Sequence, residues 1–327
     1  MKKRLLSGMR PTGPLHLGHL VGALKNWEKL QDEYECFFMV ADWHAHMSEY
    51  ERPQDLRRYT LDNVIDWLSC GLDPEKSVLF VQSHIQEHAQ LYLLFSNITP
   101  LGWLERCPTY KEQLREITTR DLHTYGFLGY PVLQAADIVI YKAHAVPVGA
   151  DQLAHLELTR EILRRFEHIY KKKVFPEPQA ILTETPKLLG IDNRKMSKSY
   201  QNFIALSDSK EEVGKKTGQM VTDPKRIKKT DPGHPKVCNV FSYYKIFKPE
   251  MEKEVHHWCT KAEIGCIECK KKLADILNGV LEPIREKRAQ FTRHRSTVDD
   301  ILTQGAEKAR GVCVETLKET RKLIGLY

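Results

Sequence analysis

The sequence contains no long hydrophobic run. Its longest apolar stretches, such as Cys36–Ala41 (CFFMVA), are far shorter than the roughly 20 residues that a membrane-spanning helix needs. The basic start, MKKRLLSGMRPTG, is not followed by an apolar segment of signal-peptide length. We therefore expect no membrane partner and a cytoplasmic protein.

Several catalytic signatures are also missing. The sequence has no P-loop, no HExxH motif and no nucleophile elbow, which excludes the active sites built on those motifs. It shows no internal repeat and no low-complexity tract. Its 327 residues, 41% of them apolar and 28% charged, are enough for a sizeable core and favour two domains.

Positive charge is concentrated in the C-terminal third of the chain. The formal net charge of +7 and the pI near 8.8 permit a polyanionic partner without requiring one. A single basic run is as easily a solvated helical face, but several runs in one segment favour a phosphate backbone. The basic residues are Lys225, Arg226, Lys228, Lys229, Lys270–Lys272, Arg285, Lys287, Arg288, Arg293 and Arg295.

Short apolar strands alternate with helical patterns in the first half of the chain. Leu17–Leu30 has apolar residues at helical spacing, and a second helix is predicted from about Asp55 to Cys70, capped by Gly71. This alternation predicts an α/β fold, with a doubly wound, Rossmann-type parallel sheet covered by helices on both faces. The predicted strands are Arg4–Met9, Cys36–Ala41 and Ser77–Gln82.

The pattern changes after about Lys198. Strand-like runs fade, and lysine-rich helical patterns continue from a capping-box-like DSKE at Asp208 to the end. We place a boundary near residue 202, which gives a catalytic domain at 1–202 and an all-helical domain at 203–327.

A first candidate site follows the first strand. In RPTGPLHLGHL, His16 and His19 are three residues apart at the start of a helix, so both rings can point the same way. Gly13 and Gly18 allow a ligand to approach the backbone, and a helix N-terminus favours phosphate. An HxxH pair alone is as typical of surface residues or metal ligands.

A second candidate site is the basic loop Arg194–Ser199, RKMSKS, which by itself could be an ordinary mobile loop. Together, HLGH and KMSKS resemble the two signatures of class I aminoacyl-tRNA synthetases, with Leu17 in place of isoleucine. Gly129–Ile162 (GYPVLQAADIVIYKAHAVPVGADQLAHLELTREI) resembles the tryptophan-specific members of that class. The resemblance covers essentially the whole chain.

The resemblance implies roles for individual residues. Asp137 would accept a hydrogen bond from the indole N–H, although it could also be a helix N-cap, and Tyr130 and Gln152 would hold the substrate ammonium group. His16, His19, Lys195 and Lys198 would be catalytic. The implied ATP contacts are Arg10, Pro11, Thr12, Gly18, His19, Gly149, Ala150, Asp151, Leu189, Lys195, Met196, Ser197, Lys198 and Ser199.

The cysteines fall into two groups. Four are scattered, and each is best interpreted as a small buried hydrophobe: Cys36, Cys70, Cys107 and Cys313. The others follow the pattern C-x20-C-x6-C-x2-C and indicate a metal rather than disulfides: Cys238, Cys259, Cys266 and Cys269. Four thiolates suit zinc and an iron–sulfur cluster equally. The resemblance extends to a subset of tryptophan-specific synthetases with a 4Fe–4S cluster, for which the first spacer is slightly short.

The resemblance also implies the reaction and the partners. Tryptophan is activated with ATP and Mg²⁺ and then transferred to tRNA(Trp), by a homodimer whose helical domain binds the anticodon. Three alternatives stay open at this point: a tyrosine-specific relative, a metal-bearing RNA-binding module with an inactive nucleotide site, and a redox protein.

Overall fold

A five-stranded sheet forms the centre of the structure, a computed structural model that describes residues 2–51, 54–117, 120–149, 152–182, 188–196 and 200–327. All neighbouring strands are parallel, and their order across the sheet is β3-β2-β1-β4-β5. The strands are β1 Arg4–Met9, β2 Glu35–Val40, β3 Ser77–Val81, β4 Ala145–Val148 and β5 Gln179–Leu182. The predicted parallel sheet and its first three strands are therefore confirmed.

Helices cover both faces of this sheet. On β2, Phe38 packs into one hydrophobic cluster and its neighbour Phe37 into the other, because successive strand residues point to opposite faces. The helices are α1 Leu17–His19, α2 Lys25–Glu33, α3 Asp42–Glu49, α4 Gln54–Ser69, α5 Glu87–Ser96, α6 Leu101–Glu105, α7 Pro108–Glu116, α8 Tyr125–Ile140, α9 Leu153–Tyr170, α10 Lys210–Gln219, α11 Asn239–Phe247, α12 Glu252–Thr260, α13 Cys266–Arg293 and α14 Arg295–Ile324. A π-helical turn, Leu20–Leu24, joins α1 to α2.

Local signals explain several helix ends. Gly71, which follows α4, has φ +104°, a conformation that favours glycine, as the sequence predicted. Helix α10 begins one residue later than predicted, because Ser209 rather than Asp208 is the N-cap and accepts the N–H of Glu212 at 3.2 Å. Among the described residues, no helix combines the length and apolar character needed to cross a bilayer.

The C-terminal helices pack directly against the sheet region. Helix α13 contacts α4, while α14 contacts β3 and α5. The two surfaces come closest at Gly305, where a Cβ would overlap the carbonyl oxygen of Leu79 on β3. The chain from residue 203 onward therefore supports the catalytic sheet as well as forming its own helical layer.

The close approach at Gly305 gives a prediction. Gly305→Ala is expected to destabilise the protein by about 1–3 kcal/mol, because the methyl group meets backbone that cannot move aside. Gly311→Ala on the same helix meets nothing within 4 Å and should stabilise it by about 0.4–1 kcal/mol. Urea unfolding of both variants measures this. Equal effects of the two substitutions would contradict the packing described for α14.

Candidate active site and four-cysteine cluster

The candidate active site lies where β1 and β4 diverge. These strands pair only at Leu5 and Ala145, so a cleft opens beyond this pair toward their carboxyl ends. The strand order reverses direction between β1 and β4, and ligands of open parallel sheets bind at such a switch point. The cleft holds a cavity of about 340 Å³, within the usual size of a small-molecule site.

The cavity combines residues of β1 and the loop after it with residues of β4, α8 and α9. Leu6, Ser7, Gly8 and Arg10 contribute from β1 and the loop after it. The other lining residues include Phe127, Tyr130, Gln134, Asp137, Ile138, Val146, Val148, Gly149, Gln152 and His155. This mixture of apolar and polar side chains fits an amino acid, which has a charged end and, in this cavity, room for a large side chain.

Asp137 is the buried charge of this cavity. It lies within α8 and is 1% exposed, so it is not a helix N-cap. His44 Nε2 is 2.7 Å from one carboxylate oxygen, and His88 Nδ1 is 2.6 Å from the other. Gln82 Nε2 donates to both oxygens at 2.9 Å, while the Gln82 side-chain oxygen accepts the N–H of Trp43.

These partners keep Asp137 ionised. Burial alone would raise the pKa of this carboxyl, but the hydrogen bonds from His44 and His88 outweigh it and lower the pKa to about 2. A carboxylate has about four acceptor positions, and Gln82 contacts both oxygens with a single nitrogen, so a donor from the cavity side would share an oxygen with Gln82. Asp137 is therefore an anionic acceptor at the wall of the cavity.

A second polar group lies at the other side of the cavity. His155, 1% exposed, joins Tyr130 (Oη to Nε2, 2.8 Å) to Gln152 (Oε1 to Nδ1, 3.0 Å). Thr109 Oγ1 also lies 2.7 Å from His155 Nε2. Burial raises the pKa of Tyr130, so this hydroxyl stays protonated. Tyr130 and Gln152, the two residues predicted to bind the substrate ammonium group, therefore both contact His155. Sequence reasoning missed this histidine.

The first motif forms a reciprocal cap. His16 accepts the N–H of Gly18 at Nδ1 (3.1 Å), and His19 Nδ1 accepts the N–H of His16 (3.2 Å). The ring centroids are 3.9 Å apart, so the two imidazoles do lie side by side as predicted. Because each Nδ1 accepts a backbone N–H, each neutral ring carries its proton on Nε2. Each ring is thus set up as a donor, which suits a phosphate oxygen.

The chain brings the two motifs together. Leu17 N–H donates to Ile204 O (3.0 Å), and Leu206 N–H donates to Leu15 O (2.9 Å), so the segment after the second motif pairs with the first motif. A Cβ on Gly18 would lie 3.1 Å from the sulfur of Met196. The glycine of HLGH therefore lies against the methionine of KMSKS.

The second motif begins as a hairpin that α11 supports. Leu189 pairs with Lys195, whose side chain is exposed, and Gly190 N–H donates to Arg194 O at 2.7 Å. On α11, Tyr243 donates to the Leu189 carbonyl and Asn239 to the Gly190 carbonyl, both at 2.7 Å. The predicted residues Ala150, Asp151, Ser197, Lys198 and Ser199 lie outside the described residues.

Residues of α4 also contact the loop of the first motif. Pro11 is buried, and Thr12 N–H donates to Arg10 O at 2.8 Å, which closes the turn. On α4, Asn63 donates to Gly13 O (3.1 Å) once its side-chain amide is oriented to satisfy its neighbours, and Asp66 accepts a backbone hydrogen bond from Leu15.

Asp66 in turn forms an ion pair with Arg288 of α13. Burial raises the pKa of Asp66 to about 7, and Arg288 opposes this rise. Helix α13 therefore supplies the counter-charge for a carboxylate that lies beside the loop of the first motif.

The four clustered cysteines line one small cavity of about 20 Å³, together with Trp258 and Arg226. Cys238 precedes α11, Cys259 lies on α12, and Cys266 and Cys269 lie in the first turn of α13. Burial raises the pKa of Cys238, Cys259 and Cys269, and the neighbouring thiols add to the rise. Across the described ranges, no three His, Cys, Asp or Glu side chains have an arrangement that could hold a metal ion.

The basic residues divide into structural and exposed groups. Arg226 donates to Ile264 O at 2.8 Å beside the cysteines, while Arg285 bonds Asn278 and Glu282 on its own helix. These arginines are used within the protein. The exposed basic residues are Lys225, Lys228, Lys229, Lys271, Lys272, Lys287, Arg293 and Arg295.

An all-parallel sheet with a cavity at its switch point, next to joined HLGH and KMSKS motifs, defines the catalytic fold of a class I aminoacyl-tRNA synthetase. The family model for class I tRNA synthetases specific for W and Y matches residues 1–282.

Relatives narrow the family. A tryptophan–tRNA ligase from Thermotoga maritima is 53% identical over 326 residues, covering 99% of each chain. One from Aquifex aeolicus is 44% identical over 394 residues, covering 99% of this chain and 100% of that protein. The crystal structure of tryptophanyl-tRNA synthetase from Campylobacter jejuni, complexed with ADP and tryptophan, matches with a TM-score of 0.90 and 34% identity. It covers 99% of this chain and 100% of that one. The chain belongs to the tryptophan–tRNA ligase family.

The Asp66–Arg288 pair gives a prediction with a defined pH dependence. Arg288→Met leaves Asp66 buried without its counter-charge, which raises its folded-state pKa further above 7. A raised folded-state pKa means that stability is lost as pH rises toward that pKa. We expect Arg288→Met to lower the free energy of unfolding by about 3–5 kcal/mol at pH 8. The loss should be at least about 1 kcal/mol smaller at pH 6, where Asp66 is largely protonated in both proteins.

The matched control is Arg285→Met, one turn earlier on α13, where the ion-pair partner Glu282 is exposed. Arg285→Met should lower the free energy of unfolding by about 1 kcal/mol or less, by the same amount at both pH values. Denaturant unfolding at the two pH values measures both variants. A deficit for Arg288→Met that is the same at pH 6 and pH 8 would show that Asp66 is not the group involved.

Proposed function

We propose that this chain activates L-tryptophan with ATP to give tryptophanyl-adenylate and pyrophosphate, and then transfers tryptophan to the 3′ end of tRNA(Trp). The observation that carries the proposal is the ionised, buried Asp137 in a cavity that Arg10, from the loop of the first motif, also lines. The membership of the chain in the tryptophan–tRNA ligase family supports the same activity.

The first half-reaction requires positioning rather than a nucleophilic side chain. The substrate carboxylate is already ionised, and it attacks the α-phosphate of ATP while pyrophosphate leaves. Fixing the two reactants in line can contribute about 7–11 kcal/mol to lowering the barrier. The remaining task is to stabilise charge as it builds on the phosphates.

The two motifs supply groups for that task. His16 and His19 present Nε2–H donors, since both Nδ1 atoms are used by the backbone. Lys195 lies on an exposed hairpin end and can reach the β- and γ-phosphates, with Lys198 as its partner. Mg²⁺ would bind together with ATP, coordinated mainly by phosphate oxygens and water. The other residues that the family resemblance implies as ATP contacts are also proposed to bind ATP.

Selectivity for tryptophan follows from Asp137. An indole N–H would donate to this carboxylate and share an oxygen with Gln82. Phenylalanine has no N–H and forgoes this hydrogen bond to a buried charge, which weakens its binding relative to tryptophan. Tyr130 and Gln152, held by His155, would bind the substrate ammonium group.

The four clustered cysteines are proposed to hold a 4Fe–4S cluster, with Zn²⁺ as the alternative. The residues fit such a group in donor type, because all four thiols border one cavity and none is in a disulfide. When bound, the cluster would brace α11, α12 and α13, since metal bound only by the folded state stabilises it. The chain's own thiols would have to converge to bind it.

The remaining assignments are proposals as well. The chain would divide near residue 202 into a catalytic domain and a helical domain that binds the anticodon, where exposed Lys271 and Lys272 follow the cysteines.

A cytoplasmic homodimer is proposed from the family resemblance. Leu101 and Tyr125, 61% and 73% exposed, border one surface pocket and offer an apolar contact for a second copy.

The central test of the function is tryptophan-dependent exchange of pyrophosphate into ATP. Asp137→Asn replaces one acceptor oxygen with a donor nitrogen. It should lower kcat/KM for tryptophan by about 10- to 100-fold, the cost of a lost charged hydrogen bond, while the KM for ATP stays close to wild type. Asp299→Asn, an exposed change of the same atoms on α14, is the control. Unchanged preference for tryptophan over phenylalanine in Asp137→Asn would remove the proposed selectivity.

Cys266→Ser tests the metal proposal. Protein purified without oxygen should contain iron and sulfide and absorb broadly in the visible range, and the variant should lose both signals. The variant should charge tRNA more slowly yet keep most of its pyrophosphate exchange. Cys70→Ser, outside the cluster, should keep the metal. Zinc without iron would select the alternative, and wild-type protein without bound metal would overturn the site.

A further inference from the structure

Behind Asp137, away from the cavity, a line of buried groups reaches the C-terminal helix α14. His88 contacts Asp137 through Nδ1 (2.6 Å) and Tyr141 Oη through Nε2 (2.7 Å). The thiol of Cys313 on α14 lies beside the Tyr141 hydroxyl. His88, Tyr141 and Cys313 are each 0% exposed, and none of the three lines the cavity.

The direction of the hydrogen bonds in this line is fixed by the charge at its end. A carboxylate only accepts, so Nδ1 of His88 must carry a proton and donate it. A neutral His88 then accepts at Nε2, and the donor available there is the Tyr141 hydroxyl. Burial raises the pKa of both Tyr141 and Cys313, so both remain protonated. The protons that Tyr141 and His88 donate then both point toward Asp137.

Aromatic packing holds this arrangement in place. Tyr141 stacks on Phe37 of β2 with centroids 4.7 Å apart, and its ring also contacts Phe80 of β3. The hydroxyl therefore cannot turn away from His88 without disturbing the sheet. Removing the Tyr141 hydroxyl would leave a buried nitrogen without its partner and would free the His88 ring to change its proton position.

We propose that His88, Tyr141 and Cys313 are positioning residues for tryptophan selection, which orient the Asp137 carboxylate toward the indole N–H. The inference rests on the proposed activation of tryptophan. It extends the determinants of selectivity to a residue on α14, outside the catalytic sheet region.

The experiment compares tryptophan with β-(3-benzothienyl)alanine, in which sulfur replaces the indole N–H and the shape is nearly kept. Pyrophosphate exchange gives kcat/KM for each. Tyr141→Phe should lower the ratio of tryptophan to analogue by about 5- to 30-fold, because only tryptophan uses the acceptor that the hydroxyl helps to orient. The value for the analogue should stay close to wild type.

Two further comparisons keep the test decisive. Thr320→Val removes a different fully buried hydroxyl, one on α14 that donates to the Thr316 carbonyl, and should leave the ratio unchanged. If Tyr141→Phe does not fold, Cys313→Ser and Cys313→Val replace it. Serine keeps a donor and should preserve the ratio better than valine.

The outcomes separate the inference from the function. Parallel losses for both substrates in Tyr141→Phe, or the same ratio in Cys313→Ser and Cys313→Val, would show a purely structural role and overturn the inference. Failure of the wild-type protein to exchange pyrophosphate with tryptophan would overturn the proposed function instead.

Discussion

A negative charge in an apolar interior is the constraint on which this structure depends. Asp137 stays ionised only because His44, Gln82 and His88 surround it with donors. An unpaired buried carboxylate would be neutralised, and a neutral acid would be a poor acceptor for a substrate N–H. The donors come from α3, from the turn after β3 and from α5, so the sheet must be assembled before the charge can be held. Selectivity is thus a property of the whole fold.

The nucleotide side of the site depends on the C-terminal helices in the same way. Residues on α11 hold the hairpin of the second motif, and Arg288 on α13 neutralises the carboxylate behind the first. Three of the four clustered cysteines lie at the beginnings of α11 and α13, so the proposed metal site and the nucleotide loops share supporting helices. These contacts connect the helices that are proposed to bind tRNA with the loops of both motifs.

Periodicity and motif spacing predicted the parallel sheet, its first three strands and the pairing of His16 with His19, because these features depend on local sequence. Sequence reasoning missed His44 and Gln82, although both closely follow the ends of parallel strands, where ligand-binding side chains collect. His88 and His155 gave no such signal, because they lie in helices and their role arises from packing. Motif spacing likewise could not show that Arg288 serves inside the protein rather than contacting RNA.

The most direct test of the central claim is a crystal structure of this chain with tryptophan bound. The account predicts the indole nitrogen about 2.7–3.2 Å from a carboxylate oxygen of Asp137, with His44 and His88 still bonded to that carboxylate. An indole ring whose nitrogen faces another group, or an Asp137 turned away from the cavity, would contradict it.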